Sequence, residues 1–208
     1  KPKFMKEIIK KSLEKSFSYT EYRNHVSNKL SQGEVTGNEQ SEHLLKYSEL
    51  NVVRMNRLDK TLTVQEDVSE KISSIKSKLI WLVLSEGWCG DAAQLLPVIN
   101  KKAELSENIK LKVLLRDENE ELMNQFLTNG GKAIPKLIII EEETLEVLDH
   151  WGPRPEGASK LISDYKATHG IVDEIAKTEL QKWYLQDKGF STQKEIIEKL
   201  EEIEKQLV

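Results

Sequence analysis

The chain is poor in cysteine and lacks long apolar runs, and each absence excludes a class of protein. Cys89 is the one cysteine among 208 residues, so an internal disulfide framework is excluded and a reducing compartment, the cytoplasm, is the expected location. The longest apolar runs, LIWLVL and LIII, are strand-sized and fall far short of the ~20 residues that span a membrane. No apolar stretch with a small-residue cleavage site follows the basic start, so neither a signal peptide nor a membrane partner is expected.

Strong charge of one sign and clusters of metal ligands are also missing. The formal net charge is −4, and no long basic stripe with interleaved aromatics is present, so a nucleic-acid partner is not expected. The four histidines are scattered without thiol or acidic partners at ligand spacing, so no metal and no other cofactor is expected. The stretch TNGGK lacks the pattern of a phosphate-binding loop and follows a helix, which excludes that interpretation.

The residues that are present form three regions. Residues 1–77 are predicted to be a charged helical N-terminal extension, with Ser18 and Glu21 spaced as a capping box. Residues 78–168 alternate strand-sized apolar runs with helical patterns in the order βαβαββα, which predicts an α/β domain with a mixed central sheet flanked by helices. Residues 169–208 are predicted to be a C-terminal helical extension. We expect both extensions to pack on the sheet domain or to form a homodimer.

The thiol lies in the stretch VLSEGWCGDAAQLLP, residues 83–97. The preceding run, KLIWLVLSE, is predicted to be a central strand buried on both faces, and a helix is predicted to begin near Cys89. The thiol is therefore expected at the carboxyl end of a strand, where open α/β sheets bind ligands. The helix N-terminus stabilises a thiolate, whereas Asp91 in the same turn repels it. A modestly acidic thiol is the expected result.

Three short motifs, together with the order of the elements, resemble the thioredoxin superfamily. The motifs are WCGDA after the first strand, AIP before the third strand and WGPRP at the end of the fourth. The resemblance covers residues 78–168, and the combination WCGDAAQ…WGPRP is similar to a bacterial thioredoxin-like branch. It implies a thioredoxin-like fold carrying additional N- and C-terminal helices.

The resemblance implies roles for the residues of these motifs. Cys89 would be the nucleophile, and the rest of the site loop would be Gly90, Asp91 and Ala92. The expected substrate-binding residues around the groove are Trp88, Ile134, Pro135, Trp151, Gly152 and Arg154. Pro135 would be a cis proline facing the nucleophile, which would leave the backbone of Ile134 free to pair with an extended peptide. Arg154 would offset Asp91 or bind an anionic group.

Two departures from the family pattern leave the function open. Ala92 stands where the resolving cysteine would be, and Val83 stands where the family has a buried aspartate. Exchange through Cys89 alone would need an external thiol as resolver, so proteins or low-molecular-weight thiols and disulfides would be the partners of a monothiol disulfide oxidoreductase. The alternative is a redox-inactive thioredoxin-fold module that binds peptides or proteins, with an ordinary or high thiol pKa. A peroxide-sensing cysteine is a third option.

Simpler interpretations of single residues also stay open. Trp88 could be plain packing, Pro135 an ordinary trans proline at the start of a strand, and Arg154 a solvated side chain. His150 neighbours Trp151 on the last predicted strand, so a Cys–His dyad with Cys89 is a further option.

Overall fold

The computed structural model describes residues 2–207. In chain order its elements are α1 (Pro2–Glu14), α2 (Tyr19–Ser31), α3 (Glu42–Thr61), α4 (Glu66–Ser73), β1 (Leu79–Ser85), α5 (Gly90–Ala103), β2 (Ile109–Leu115), a 3-10 turn (Arg116–Glu118), α6 (Glu120–Asn124), β3 (Lys136–Glu141), β4 (Val147–Trp151), α7 (Glu156–His169), α8 (Glu174–Asp187) and α9 (Phe190–Leu207). The predicted βαβαββα order and the additional helices before and after it are confirmed. None of the helices within residues 2–207 is long and apolar enough to cross a membrane.

The four strands form one mixed sheet in the order β2-β1-β3-β4. β1 pairs in parallel with β2 and antiparallel with β3, and β4 runs antiparallel to β3. Leu84 at the end of β1 therefore pairs with Lys136, and Leu137 pairs with Trp151 at the end of β4. This pairing brings the end of β1, the start of β3 and the end of β4 to one edge of the sheet, where Cys89 follows β1.

The sheet is covered on both faces, which explains why every residue of β1 is buried. Alternate residues of β1 point to opposite faces. Trp81 and Val83 pack in a large core against α5, α8 and α9, and Leu82 and Leu84 pack in a smaller core that includes Ile9 of α1. The continuous apolar run in the sequence thus reflects a central strand between two layers of helices.

The N-terminal extension packs directly on the sheet domain. Phe17 exchanges two backbone hydrogen bonds with Val113 of β2, of 2.9 and 2.7 Å. The predicted capping box of α2 is confirmed, because Ser18 Oγ accepts from the N–H of Glu21 and a Glu21 carboxylate oxygen accepts from the N–H of Ser18. α3 then lies along α5, the helix that follows Cys89.

The C-terminal extension also packs against the sheet domain. In α9 the apolar stripe of Ile196, Ile197, Leu200 and Ile203 is buried in the large core, whereas Leu207 is exposed. Because the chain itself buries most of this stripe, a homodimer through the flanking helices would need other surfaces and stays a prediction.

Candidate functional site

Cys89 is the N-cap residue of α5, at the point where β1 has ended and the chain turns into the helix. Its Sγ accepts a hydrogen bond from the backbone N–H of Ala92 at 3.4 Å. The residue is 9% exposed and its sulfur borders a cavity described below. The thiol therefore occupies the helix N-terminus that the sequence predicted, but it is almost completely removed from solvent.

The Ile134–Pro135 peptide bond, which is cis, lies beside this thiol. The Sγ of Cys89 donates to the carbonyl oxygen of Ile134 at 3.5 Å, and both Ile134 and Pro135 are buried. In this arrangement the thiol uses one of the two acceptor positions of the carbonyl that an added peptide strand would pair with.

Burial, followed by the negative charge of Asp91, raises the pKa of the Cys89 thiol to about 12. Hydrogen bonds from the backbone N–H groups of Ala92 and Asp91 and the charge of Arg154 lower the pKa, but by less. The expectation of a modestly acidic thiol is therefore wrong. Loss of solvation outweighs the helix N-terminus because a thiolate in this position would exchange water for largely apolar neighbours.

Asp91 is held by two side chains that come from distant parts of the sequence. Its carboxylate accepts two hydrogen bonds of 3.0 Å from Arg154 and one of 2.5 Å from the hydroxyl of Tyr184 in α8. Burial, followed by the charge of Asp91, raises the pKa of Tyr184 well above its usual range, so it donates as a neutral phenol. Arg154 thus offsets Asp91, which was the first of its two expected roles.

Gly152 lies against the backbone of Pro135. Its φ is +114°, and a Cβ at this position would lie 2.4 Å from the carbonyl oxygen of Pro135. The Gly152–Pro153 peptide bond is also cis. Lys136 also holds Gly152 in place, because its buried ammonium donates to the carbonyl of Gly152 at 2.8 Å and to Thr128 Oγ1 at 2.7 Å. A residue with a side chain does not fit at position 152.

Trp88 is both packed and at the edge of the cavity. Its indole N–H donates to the carbonyl of Thr36 at 3.1 Å, and the guanidinium of Arg116 lies 5.0 Å from the ring centroid. The hydroxyl of Thr36 also accepts from the N–H of Gly87 at 2.9 Å. A turn of the N-terminal extension therefore holds the site loop, while Trp88 still lines the cavity.

Two predicted residues lie away from the thiol. Trp151 packs in the large core and donates from its indole N–H to Glu195 of α9 at 3.0 Å, whereas Cys89 belongs to the smaller core on the other face of the sheet. His150 stacks edge-on against Phe126, and within residues 2–207 no hydrogen bond joins it to Cys89. The site geometry therefore brings together the other predicted residues but not these two.

Val83 stands where the family has a buried aspartate, but the carboxyl group of a different residue is buried near the thiol. Glu86 is fully buried in the turn between β1 and Cys89, where one of its oxygens accepts from the backbone N–H of Asp117 at 3.3 Å. Burial raises the pKa of Glu86 to about 7, and the charge of Asp117 contributes in the same direction. Sequence analysis did not single out this residue, because its burial depends on the packing of the turn at Thr36.

A cavity of about 600 Å³ lies against the site loop. The loop contributes Trp88, Cys89, Gly90 and Asp91, and the opposite side is formed by residues of α3 and α8. Arg54 of α3 and Gln181 of α8 lie beside Gly90 of the loop, since a Cβ on Gly90 would lie 3.8 Å from Arg54 Nη1 and 3.2 Å from Gln181 Nε2. No local motif could have identified these two residues, because each lies on an extension far from Cys89 in the sequence.

The part of the chain that the structure describes contains no group of three histidine, cysteine, aspartate or glutamate side chains placed to hold a metal ion.

A mixed four-stranded sheet, a cysteine capping the helix after its central strand and a cis proline bond beside that cysteine define a thioredoxin-like protein. A family model described as thioredoxin matches residues 37–166, and the chain belongs to this family. The match includes α3 and α4 of the N-terminal extension as well as the sheet.

Two solved structures are similar to this chain to different degrees. The crystal structure of an HIV epitope-scaffold has 18% sequence identity and a TM-score of 0.56, with 89% of this chain and 98% of that chain covered. A protein of unknown function from Pseudomonas aeruginosa has 20% identity and a TM-score of 0.45, with 73% of this chain and 88% of that chain covered. No curated protein matches the sequence. The likeness to the epitope-scaffold shows a shared fold that extends into the helical extensions.

Proposed function

We propose that the protein is a thioredoxin-fold binding module that takes a small ligand in the cavity beside Cys89 and performs no dithiol chemistry. The observation that carries this proposal is a buried thiol next to an open cavity of about 600 Å³. Ala92, 2% exposed, occupies the position of a second thiol, so the chain has no internal group to resolve a mixed disulfide.

The state of Cys89 supports binding over catalysis. Because burial raises the pKa of Cys89 to about 12, the thiolate is a very small fraction of the protein at pH 7. An ordinary cysteine with a pKa of ~8.5 carries it in a few per cent of molecules. Because the thiolate is the nucleophile, exchange by the resting site would be slow.

The cavity has the size and the fixed walls of a binding site. Its volume falls within the ~300–1,000 Å³ of typical small-molecule pockets. α3 is fixed to the site loop by Asn51, whose amide donates to the carbonyl of Gly87 at 3.1 Å. α8 is fixed to α5 through Gln94 and Gln181, joined at 2.8 Å, and through the bond from Tyr184 to Asp91. A cavity with walls held in this way needs little rearrangement to bind, which favours affinity.

A second candidate function is thiol–disulfide exchange through Cys89 with an external thiol. The hydrogen bond from the N–H of Ala92 to Sγ favours it, since that bond stabilises a thiolate. Cys89 would lose its proton to water and attack a disulfide, releasing one half as a thiolate. The glutathione thiolate would then attack the sulfur of the bound half, which leaves as a mixed disulfide with glutathione, and the released Cys89 thiolate takes up a proton.

The reduction of 2-hydroxyethyl disulfide by glutathione separates the two candidates. The wild type and Cys89→Ser are compared, and the variant has no thiol at all because Cys89 is the one cysteine. Rates equal to the uncatalysed background in both proteins support the binding module. Multiple turnovers in the wild type above the Cys89→Ser rate establish exchange instead.

Binding itself is tested by an NMR screen of small fragments against two variants of α3. Leu50 lines the cavity and is 45% exposed, whereas Val53 is 63% exposed on the same helix and does not line it. Leu50→Trp should obstruct the cavity and remove fragment binding, and Val53→Trp should leave it intact. The proposal fails if no fragment binds the wild type or if both variants bind as the wild type does.

A further inference from the structure

We propose that the cavity recognises a carboxylate with an apolar body and that Arg54 is the residue that binds the carboxylate. This inference rests on the proposed binding function, and it names the chemistry of the ligand. Arg54 lies on α3, within the N-terminal extension, and no motif in the sequence analysis included it.

Arg54 is held in place next to the site loop. Its Nη1 donates to Asn51 Oδ1 at 3.0 Å, and the amide nitrogen of Asn51 donates to the carbonyl of Gly87 at 3.1 Å. The same Nη1 lies 3.8 Å from the position of a Cβ on Gly90. The guanidinium is thus positioned one residue from Cys89 at the border of the cavity, and the bond to Asn51 uses one of its five N–H donors.

Of the arginine and lysine side chains that line the cavity, Arg54 has no carboxylate partner within the described residues. Arg154 is paired with Asp91 at 3.0 Å, and Lys177 is paired with Glu174 at 3.3 Å. In residues 2–207 no carboxylate lies within ion-pair distance of Arg54, although its side chain is partly buried. Burial, followed by the charge of Arg57, lowers the pKa of Arg54. A partly desolvated guanidinium without a counter-ion costs free energy that a bound anion would recover.

The single positive charge of Arg54 favours a carboxylate over a phosphate as the bound group. One uncompensated positive charge is neutralised by a monoanion, whereas a dianion would leave excess negative charge close to Asp91. The planar guanidinium also binds a carboxylate through two parallel N–H···O bonds. Apolar side chains from both extensions provide contacts for an apolar body: Leu50 of α3, Val172 of the turn before α8 and Leu180 of α8.

Isothermal titration calorimetry with octanoate and its neutral isostere octanamide tests the inference. The wild type should bind octanoate more tightly than octanamide. Arg54→Gln should weaken octanoate by about tenfold or more, the range of hydrogen bonds to a charged group, and leave octanamide unchanged. Arg57→Gln, one helical turn further on and outside the cavity lining, is the matched control: it removes a nearby charge of the same sign, so it should weaken octanoate much less than Arg54→Gln does and leave octanamide unchanged.

A charge-preserving variant and a folding measurement complete the design. Arg54→Lys should keep part of the preference for octanoate, and thermal melts of all variants should show that the fold is intact. Equal binding of octanoate and octanamide by the wild type overturns the assignment of Arg54 but leaves the binding module standing. The same loss in Arg57→Gln as in Arg54→Gln also overturns it. Failure of both ligands to bind contradicts the apolar carboxylate, and the fragment screen then decides whether the binding module itself fails.

Discussion

The carboxylate of Asp91 accepts two hydrogen bonds of 3.0 Å from the guanidinium of Arg154. A third comes from Tyr184, so a residue of the site loop is bound both by the loop after β4 and by the C-terminal extension. The pairing reduces the effect of Asp91 on Cys89 without removing it, since Asp91 remains the second cause of the raised thiol pKa. Asp91 therefore connects the reactivity of the thiol with the position of α8.

Replacing Asp91 by asparagine should make Cys89 more reactive. The substitution removes the nearby negative charge and leaves the positive charge of Arg154 unbalanced, and both changes lower the pKa of the thiol. Alkylation by iodoacetamide at pH 8 should therefore accelerate, by about tenfold for each unit by which the pKa falls, since the thiolate fraction below the pKa grows by that factor.

Glu174→Gln is the control for this experiment, because Glu174 borders the same cavity but is paired with Lys177. It should change the alkylation rate little. An unchanged rate in Asp91→Asn would show that the carboxylate does not influence Cys89.

The pH profile of alkylation in the wild type is a separate prediction. Because burial raises the pKa of Cys89 to about 12, the rate should still be rising at pH 10. Mass spectrometry of the alkylated protein follows a single site, since no other cysteine is present. The urea-unfolded chain, in which the thiol is solvated, is the control and should reach half of its maximal rate near pH ~8.5. A plateau of the folded protein below pH 9 would contradict the buried state of the thiol.

Gly152→Ala should destabilise the protein through a clash at the site. The added Cβ would lie 2.4 Å from the carbonyl oxygen of Pro135, in a backbone conformation with φ of +114°. Gly170→Ala is the matched control, because Gly170 has a φ of +81° with no atom within 4 Å of the added Cβ. Gly170→Ala should lower the free energy of unfolding by about 1–2 kcal/mol, because its left-handed backbone conformation is unfavourable for alanine.

The difference between these two glycine variants isolates the contact with Pro135. Overpacking typically adds about 1–3 kcal/mol, so Gly152→Ala should lose at least that much more free energy of unfolding in urea. Equal losses in the two variants would mean that the loop after β4 relaxes away from Pro135.

The parts of the site that could be predicted are those that depend on local sequence. The run before Cys89 has the length and composition of a buried strand, and Gly152 and Pro135 stand in short motifs near the ends of strands. Their places in the fold follow from the order of the elements. The closeness of Cys89 to Ile134 follows from the antiparallel pairing of β1 with β3.

The other parts of the site depend on which helix faces pack together, and no local sequence pattern predicts that packing. The helical spacing of apolar residues indicates a buried face on α3 and α8, but it does not say what covers that face. Arg54 and Tyr184 therefore could not be placed at the site. The thiol pKa was misjudged for the same reason: the helix N-terminus is visible in the sequence, whereas burial is a tertiary property.

Glu86 should make the stability of the protein depend on pH. Its pKa is raised by burial from 4.5 to about 7, so between these values the folded state binds its proton more tightly than the unfolded state. Stability should therefore fall as the pH rises from about 5 to about 7 and stay level above the folded pKa. A pKa difference of this size corresponds to a loss of about 3 kcal/mol at most.

Glu86→Gln should remove this pH dependence, because the amide is neutral at every pH and its oxygen can still accept from the N–H of Asp117. At pH 8 the variant should be more stable than the wild type, and at pH 5 the two should be similar, as measured by urea unfolding at both pH values. Glu118→Gln, on an exposed side chain of the neighbouring turn, is the control and should keep the wild-type profile. If Glu86→Gln retains the full decrease between pH 5 and 8, another group titrates and Glu86 is ionised in the folded protein. Because Glu86 lies between β1 and Cys89, a decrease that disappears in Glu86→Gln would place the pH response of the fold at the site loop itself.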